Sequence, residues 1–184
     1  GTGQAYATAF AVPAGSLNFW RTRLLAHGVT PSTITPRFGD EVISFQDPDG
    51  LVLELIASAE SDTRTAPSHP EVSAAQGIRG FHSVTLAVAA AAPTAALLTQ
   101  VMGYRATANA DQRTRFSVAG GGPGTYVDLL VDPKLPRGTS GAGTVHHIAF
   151  RTPDDATQAS ALASLQELNL GVSPVMDRNY FHSI

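Results

Sequence analysis

The chain has 184 residues, 43% of them hydrophobic and 15% charged, enough to bury one sizeable core or two small ones. A net charge of −3 without a Lys/Arg block argues against nucleic acid or an anionic membrane surface as a partner, and no apolar run approaches the length of a membrane span. With no cysteine, disulfides, thiolate catalysis and Cys-ligated metals are excluded, so any metal must be held by His and carboxylate, and the cytoplasm is the expected compartment.

The first predicted element is a strand from Ala5 to Val12, followed by Pro13 and a helix over Ser16–His27. Ser16 is a candidate N-cap, Leu17, Trp20, Leu24 and Leu25 recur at helical spacing, and Gly28 ends the helix. Strands are expected near 33–38, 42–46 and 51–57, the last two joined by the turn signal Asp47-Pro48-Asp49-Gly50. The order is βαβββ. Residues 60–77, rich in Ser, Thr, Pro and Ala, read as a linker after a first module of 1–59.

The same order then repeats. Phe81–Val88 is a strand, a helix near Thr94–Met102 stops at Gly103, and strands follow near 104–107, 113–118 and 125–131, giving a second module of 78–135. Gly120-Gly121-Gly122-Pro123-Gly124 precedes a strand and lacks the Lys-Ser/Thr of a phosphate-binding loop, so it reads as a hairpin connection. The third unit, 136–184, opens with Val145–Arg151 and carries a helix over Asp154–Leu168, with Asp154 or Thr152 as its cap. It is short of the strands that the first two possess. The chain opens at Gly1 and stops within Tyr180–Ile184, which reads as the start of a strand, and a longer parent protein is the expectation.

Strand alternation divides the opening strands into two faces. One face, expected to pack on helices, reads Tyr6, Thr8, Phe10, Val12, then His82, Val84, Leu86, Val88, then His146, Ile148, Phe150. The other reads Ala7, Ala9, Ala11, then Ser83, Thr85, Ala87, then His147, Ala149, Arg151, and should be concave and partly open. The fold class expected is α+β, with repeated βαβββ modules forming concave mixed sheets flanked by helices.

These repeats, the His146-His147-Ile148-Ala149-Phe150 strand and the Asp-Pro-Asp-Gly hairpin before Leu51-Val52-Leu53-Glu54-Leu55-Ile56 resemble the vicinal oxygen chelate superfamily of glyoxalases, bleomycin resistance proteins and extradiol dioxygenases. Gly80–Leu86 and Ser173–Ile184 resemble its four-module branch of hydroquinone-type ring-cleaving dioxygenases.

The resemblance implies a non-haem Fe(II) enzyme, or one using Mn(II) or another divalent metal, acting with O2 on small dihydroxylated aromatics. It makes this chain modules two, three and most of four. His147 would be one metal ligand, with Glu54 a weaker alternative and the remaining ligands outside these residues. His146 or His182 would serve as a base near the substrate hydroxyl, and Arg178 would hold a developing oxyanion. Arg178 beside Asp177 reads equally well as an exposed ion pair. Glu54 and Asp128 stand at the positions of the family's carboxylate ligand in modules two and three, with Ala7 and Ser83 in place of the histidines, the pattern of a vestigial site. The alternatives to an enzyme fragment that is inactive alone are a metal-free small-molecule binding protein and a glyoxalase-like lyase. Unpaired edges in the third unit favour a homodimer.

Overall fold

The computed structural model describes residues 1–60 and 62–184. Strand β1, Gln4–Val12, leads through Pro13 into helix α1, Leu17–Ala26. The helix closes in a Schellman arrangement: Gly28 N–H donates to the Leu25 carbonyl, Val29 N–H to that of Leu24, and Gly28 takes a φ of 77°. Strands β2, Thr35–Arg37, β3, Asp40–Gln46, and β4, Val52–Ala57, complete the first module. In the turn between β3 and β4, Asp47 Oδ1 accepts from the N–H groups of Asp49 and Leu51 at 2.9 and 2.8 Å, and Gly50 supplies a φ of 86°.

The second module repeats the order with β5, Gly80–Val88, α2, Ala92–Ala96, running on into a π-helical stretch at Leu97–Val101, then β6, Arg105–Ala110, β7, Arg113–Ser117, and β8, Tyr126–Val131. The glycine-rich segment connects the antiparallel β7 and β8, where the Gly122 N–H donates to Thr125 Oγ1.

These eight strands form one sheet in the order β2-β3-β4-β1-β5-β8-β7-β6. Within each module the opening strand runs parallel to the last one, β1 to β4 and β5 to β8, and the modules join through the antiparallel pair β1–β5. Phe10 and Val12 of β1 and Val84, Leu86 and Val88 of β5 pack as alternation expects, whereas His82 does not join them and Tyr6 is exposed. Val12, Leu17, Ile43 and Leu55 form one core with Phe10, Trp20 and Leu24 against it, and Leu98, Tyr104, Phe116, Val127 and Leu129 form the other with Val84, Leu86 and Val88. The linker is tied to the first module, with Trp20 Nε1 donating to the Gln76 carbonyl at 2.7 Å and Arg23 paired with Glu71.

The third unit departs from expectation. Helix α3, Asp155–Glu167, is present with Asp154 as its N-cap, the carboxylate accepting from the Thr157 N–H at 2.7 Å. Val145–Arg151, however, is not a strand. Both edges of β1 and of β5 are already paired, so the repeat offers this segment no ladder, and an isolated strand has nothing to satisfy its backbone groups. Among the described residues, only the short hairpin of β9, Met176–Asp177, and β10, His182–Ser183, follows α3.

Candidate functional site

The expected catalytic residues fall into two groups. His146 and His147 lie on the unladdered segment, both exposed, with their Nδ1 atoms 2.9 Å apart and rings near perpendicular at 89°. They border a cleft of about 340 Å³ with Gln4, Leu86 and Thr94. Alternation therefore does not decide which of the two faces inward. His182 and Arg178 belong to the β9–β10 hairpin. His182 Nδ1 lies 3.0 Å from Asp155 Oδ1 at the start of α3, and this bond to a carboxylate raises the imidazole pKa. Arg178 Nε donates to Ser183 Oγ at 3.1 Å, and no ion pair to Asp177 forms among the described residues. No hydrogen bond or ion pair among the described residues joins the hairpin to the His146-His147 pair.

The concave face of the two complete modules differs from its expected open state. Ala7, Ala9 and Thr85 are each 1% exposed: Ala9 packs with Val42 and Ile56, Thr85 Oγ1 accepts from Arg113, and a set of long charged side chains gathers on the same face. Glu54 on β4 accepts from Arg37 through both oxygens at 2.7 and 2.8 Å. Asp128 on β8 likewise accepts from Arg115 Nε and Nη2 at 2.9 and 3.2 Å. Arg115 Nη1 reaches across to Asp40 of β3 at 3.1 Å, and its guanidinium stacks 4.7 Å from the ring centres of both Phe38 and Tyr126. Burial opposes the Arg37 and Arg115 charges, but the carboxylates more than offset it and raise both pKa values.

His82 lies in this set rather than among the apolar residues of the helical face. The β1–β5 register passes from Ala9↔Ser83 to Phe10↔Phe81, leaving His82 without an opposite partner. That β-bulge breaks the two-residue alternation and re-aims the side chain. The ring is fully buried, its Nδ1 3.1 Å from Ser83 Oγ and its Nε2 3.6 Å from Asp40 Oδ2 with no hydrogen-bond partner. Burial, then the Arg115 charge, pushes its pKa down to about 4, so it is neutral at pH 7.

These residues do not fit an iron centre. Both oxygens of Glu54 and both of Asp128 are held by guanidinium groups, which supply locally the positive charge a metal would bring. Among the described residues no three His, Asp or Glu side chains gather as a metal site. Arginines 37, 113 and 115 were not singled out from sequence. The available signal was the two-residue spacing of Arg113 and Arg115, which puts both on one strand face opposite a neighbouring Asp128.

No protein-family model matches the chain. It is 39% identical over all 184 residues to "Putative ring-cleaving dioxygenase MhqO" of Bacillus subtilis, spanning 58% of that protein. It is 30% identical over 191 aligned positions to the chlorohydroquinone/hydroquinone 1,2-dioxygenase of Sphingobium indicum, spanning 59% of it. A crystal structure of a putative dioxygenase from Bacillus subtilis superposes with a TM-score of 0.90 at 37% identity, over 99% of this chain and 57% of that one. A maize glyoxalase I structure shares the fold at a TM-score of 0.59 and 16% identity, over 92% of this chain and 57% of that one. The chain thus spans rather more than half the length of these relatives. With paired βαβββ modules in one mixed sheet, the chain shares the fold of glyoxalase I, and along its whole length it is similar to proteins named as ring-cleaving dioxygenases.

Proposed function

We propose that the protein containing this chain is a ring-cleaving dioxygenase that inserts both atoms of O2 into a small dihydroxylated aromatic of the hydroquinone type. The observation that carries this reading is the 39% identity over all 184 residues to a protein named a putative ring-cleaving dioxygenase, with a chlorohydroquinone/hydroquinone 1,2-dioxygenase 30% identical pointing to the hydroquinone type. The metal is Fe(II), with Mn(II) or another divalent ion as the alternative. His147 is the one ligand this chain offers, and the others come from outside these residues. His146 or His182 serves as base near the substrate hydroxyl and Arg178 as the cation for its oxyanion. The protein works in the cytoplasm as a homodimer, and no helix among the described residues is long and apolar enough to cross a membrane.

The test is oxygen uptake by the full-length protein, loaded anaerobically with Fe(II), on chlorohydroquinone and methylhydroquinone, with the ring-opened product identified by mass. Uptake matched one to one by product supports the reading. Saturable binding of the aromatics without uptake would favour a metal-free binding protein, a reading encouraged by the arginine-filled concave face of the two complete modules.

A further inference from the structure

Among the three arginines of the concave face, Arg113 is the one left without a carboxylate of its own. Glu54 spends both oxygens on Arg37, and Asp128 spends both on Arg115. Asp40 accepts from Arg115, from Ser58 Oγ at 3.0 Å and from the Ala59 N–H at 3.0 Å. Arg113 makes one hydrogen bond among the described residues, Nη1 to the neutral Thr85 Oγ1 at 2.6 Å. Its nearest carboxylate oxygen, Asp128 Oδ2, is 3.7 Å away and already accepts from Arg115. The Arg113 side chain is only 13% exposed, while that of Arg37, 19% exposed, repels it across the same face.

A largely desolvated guanidinium normally has a hydrogen-bonded anion, because burying a charge without one is costly. Among the described residues the remaining N–H groups of Arg113 have no hydrogen-bond acceptor, and solvent still reaches the group. The residue that Arg113 bonds, Thr85, lies between Ala7 on β1 and Asp128 on β8. The fixed fork of a guanidinium matches two oxygens of one planar anion better than it matches a spherical ion.

We infer that the paired modules hold a ligand site in which Arg113, oriented by Thr85, binds a small carboxylate. The site does not depend on the function proposed above, since it uses none of the residues assigned there.

The experiment is thermal unfolding of the full-length protein in increasing sodium formate, with ionic strength held constant by replacing sodium chloride one for one. A ligand that binds only the native state raises the unfolding temperature along a saturating curve. The expected result is such a curve for the wild type and for Arg105→Gln, which removes an exposed arginine of β6. Arg113→Gln should abolish the rise, and Arg113→Lys should weaken the half-saturating concentration about tenfold. Thr85→Val serves if Arg113→Gln fails to fold, and should weaken formate by several-fold through loss of the orienting bond. No saturating rise in the wild type would overturn the inference, as would an equal rise when chloride alone is raised, or curves unchanged by both Arg113→Gln and Thr85→Val.

Discussion

Arg115 and Asp40 link the two complete modules through one short contact: the guanidinium that grips Asp128 within its own module extends Nη1 to Asp40 of the other at 3.1 Å. Phe38 of the first module and Tyr126 of the second sandwich the same group at 4.7 Å each. The join therefore rests on a buried cation with two carboxylates and two rings, in addition to the β1–β5 ladder.

Arg115→Met should accordingly be among the most destabilising single changes in the chain. It leaves Asp128 and Asp40 buried at 0% and 6% exposure with a major partner gone, a situation that costs about 3–5 kcal/mol. Urea unfolding would read this as a lower midpoint at an unchanged slope. Replacing Asp128 as well, as Arg115→Met with Asp128→Leu, should recover much of the loss, because no uncompensated charge then remains at that position. A double variant as unstable as the sum of the two single ones would show that the pair is not the coupled unit.

Stability should fall on mild acidification, with His82 as a main contributor. Its folded pKa of about 4 lies below the ordinary 6.5, so below pH 6.5 the unfolded chain binds a proton that the native state refuses. The contribution is fully present above pH 6.5, erodes as pH falls and is exhausted near pH 4, amounting to roughly 3 kcal/mol. Urea titrations at pH 7, 6, 5 and 4 on wild type and His82→Gln would measure it. The variant should lose the part of the slope between pH 6.5 and 4, and parallel pH profiles would remove His82 as the cause.

The helix ends and the turn between β3 and β4 were legible because their signals are local. Gly28 and Gly103 sit at positive φ just past helices, and Asp47-Pro48-Asp49-Gly50 closes its turn through its own side chain. Asp154, one of two cap candidates, was resolved by its bond to Thr157. The illegible features depend on partners far away in sequence. One bulge in β5 moves His82 away from the residues that alternation groups it with, and a period-two rule has no means of seeing it. The segment Val145–Arg151 carries a strand pattern, but a strand needs a free neighbouring edge, and the sheet has used the edges of its counterparts. The concave face read as small and polar on β1 and β5. The charge gathered on it comes in part from β2 and β7, strands whose arginines look like surface residues until their opposing carboxylates are known.

His147→Ala in the full-length protein should abolish stoichiometric iron binding, whereas His146→Ala should leave most of it. The two rings touch through Nδ1 at 2.9 Å, so one of them donates there and each leaves Nε2 for another partner. Iron content by elemental analysis, with each variant checked for unaltered unfolding, separates the ligand from its neighbour. Loss of iron in His146→Ala with retention in His147→Ala would reverse the assignment.

The 184-residue chain expressed alone should hold well under one equivalent of iron and show no oxygen uptake on hydroquinones. A facial site requires two imidazoles and a carboxylate converging on one ion, and the donors here are dispersed or engaged. Glu54 is tied to Arg37 by both oxygens, and His182 is bonded to Asp155. His82 Nε2 and Asp40 Oδ2 are 3.6 Å apart and could bracket a cation, but Arg115 already bonds that same Asp40 oxygen. An added metal ion would meet a fixed positive charge at contact distance. Elemental analysis after anaerobic loading and gel filtration tests this directly. One tightly held equivalent would mean that ligands from within these residues rearrange to converge, and its loss in Glu54→Gln or His82→Gln would identify which of them moved.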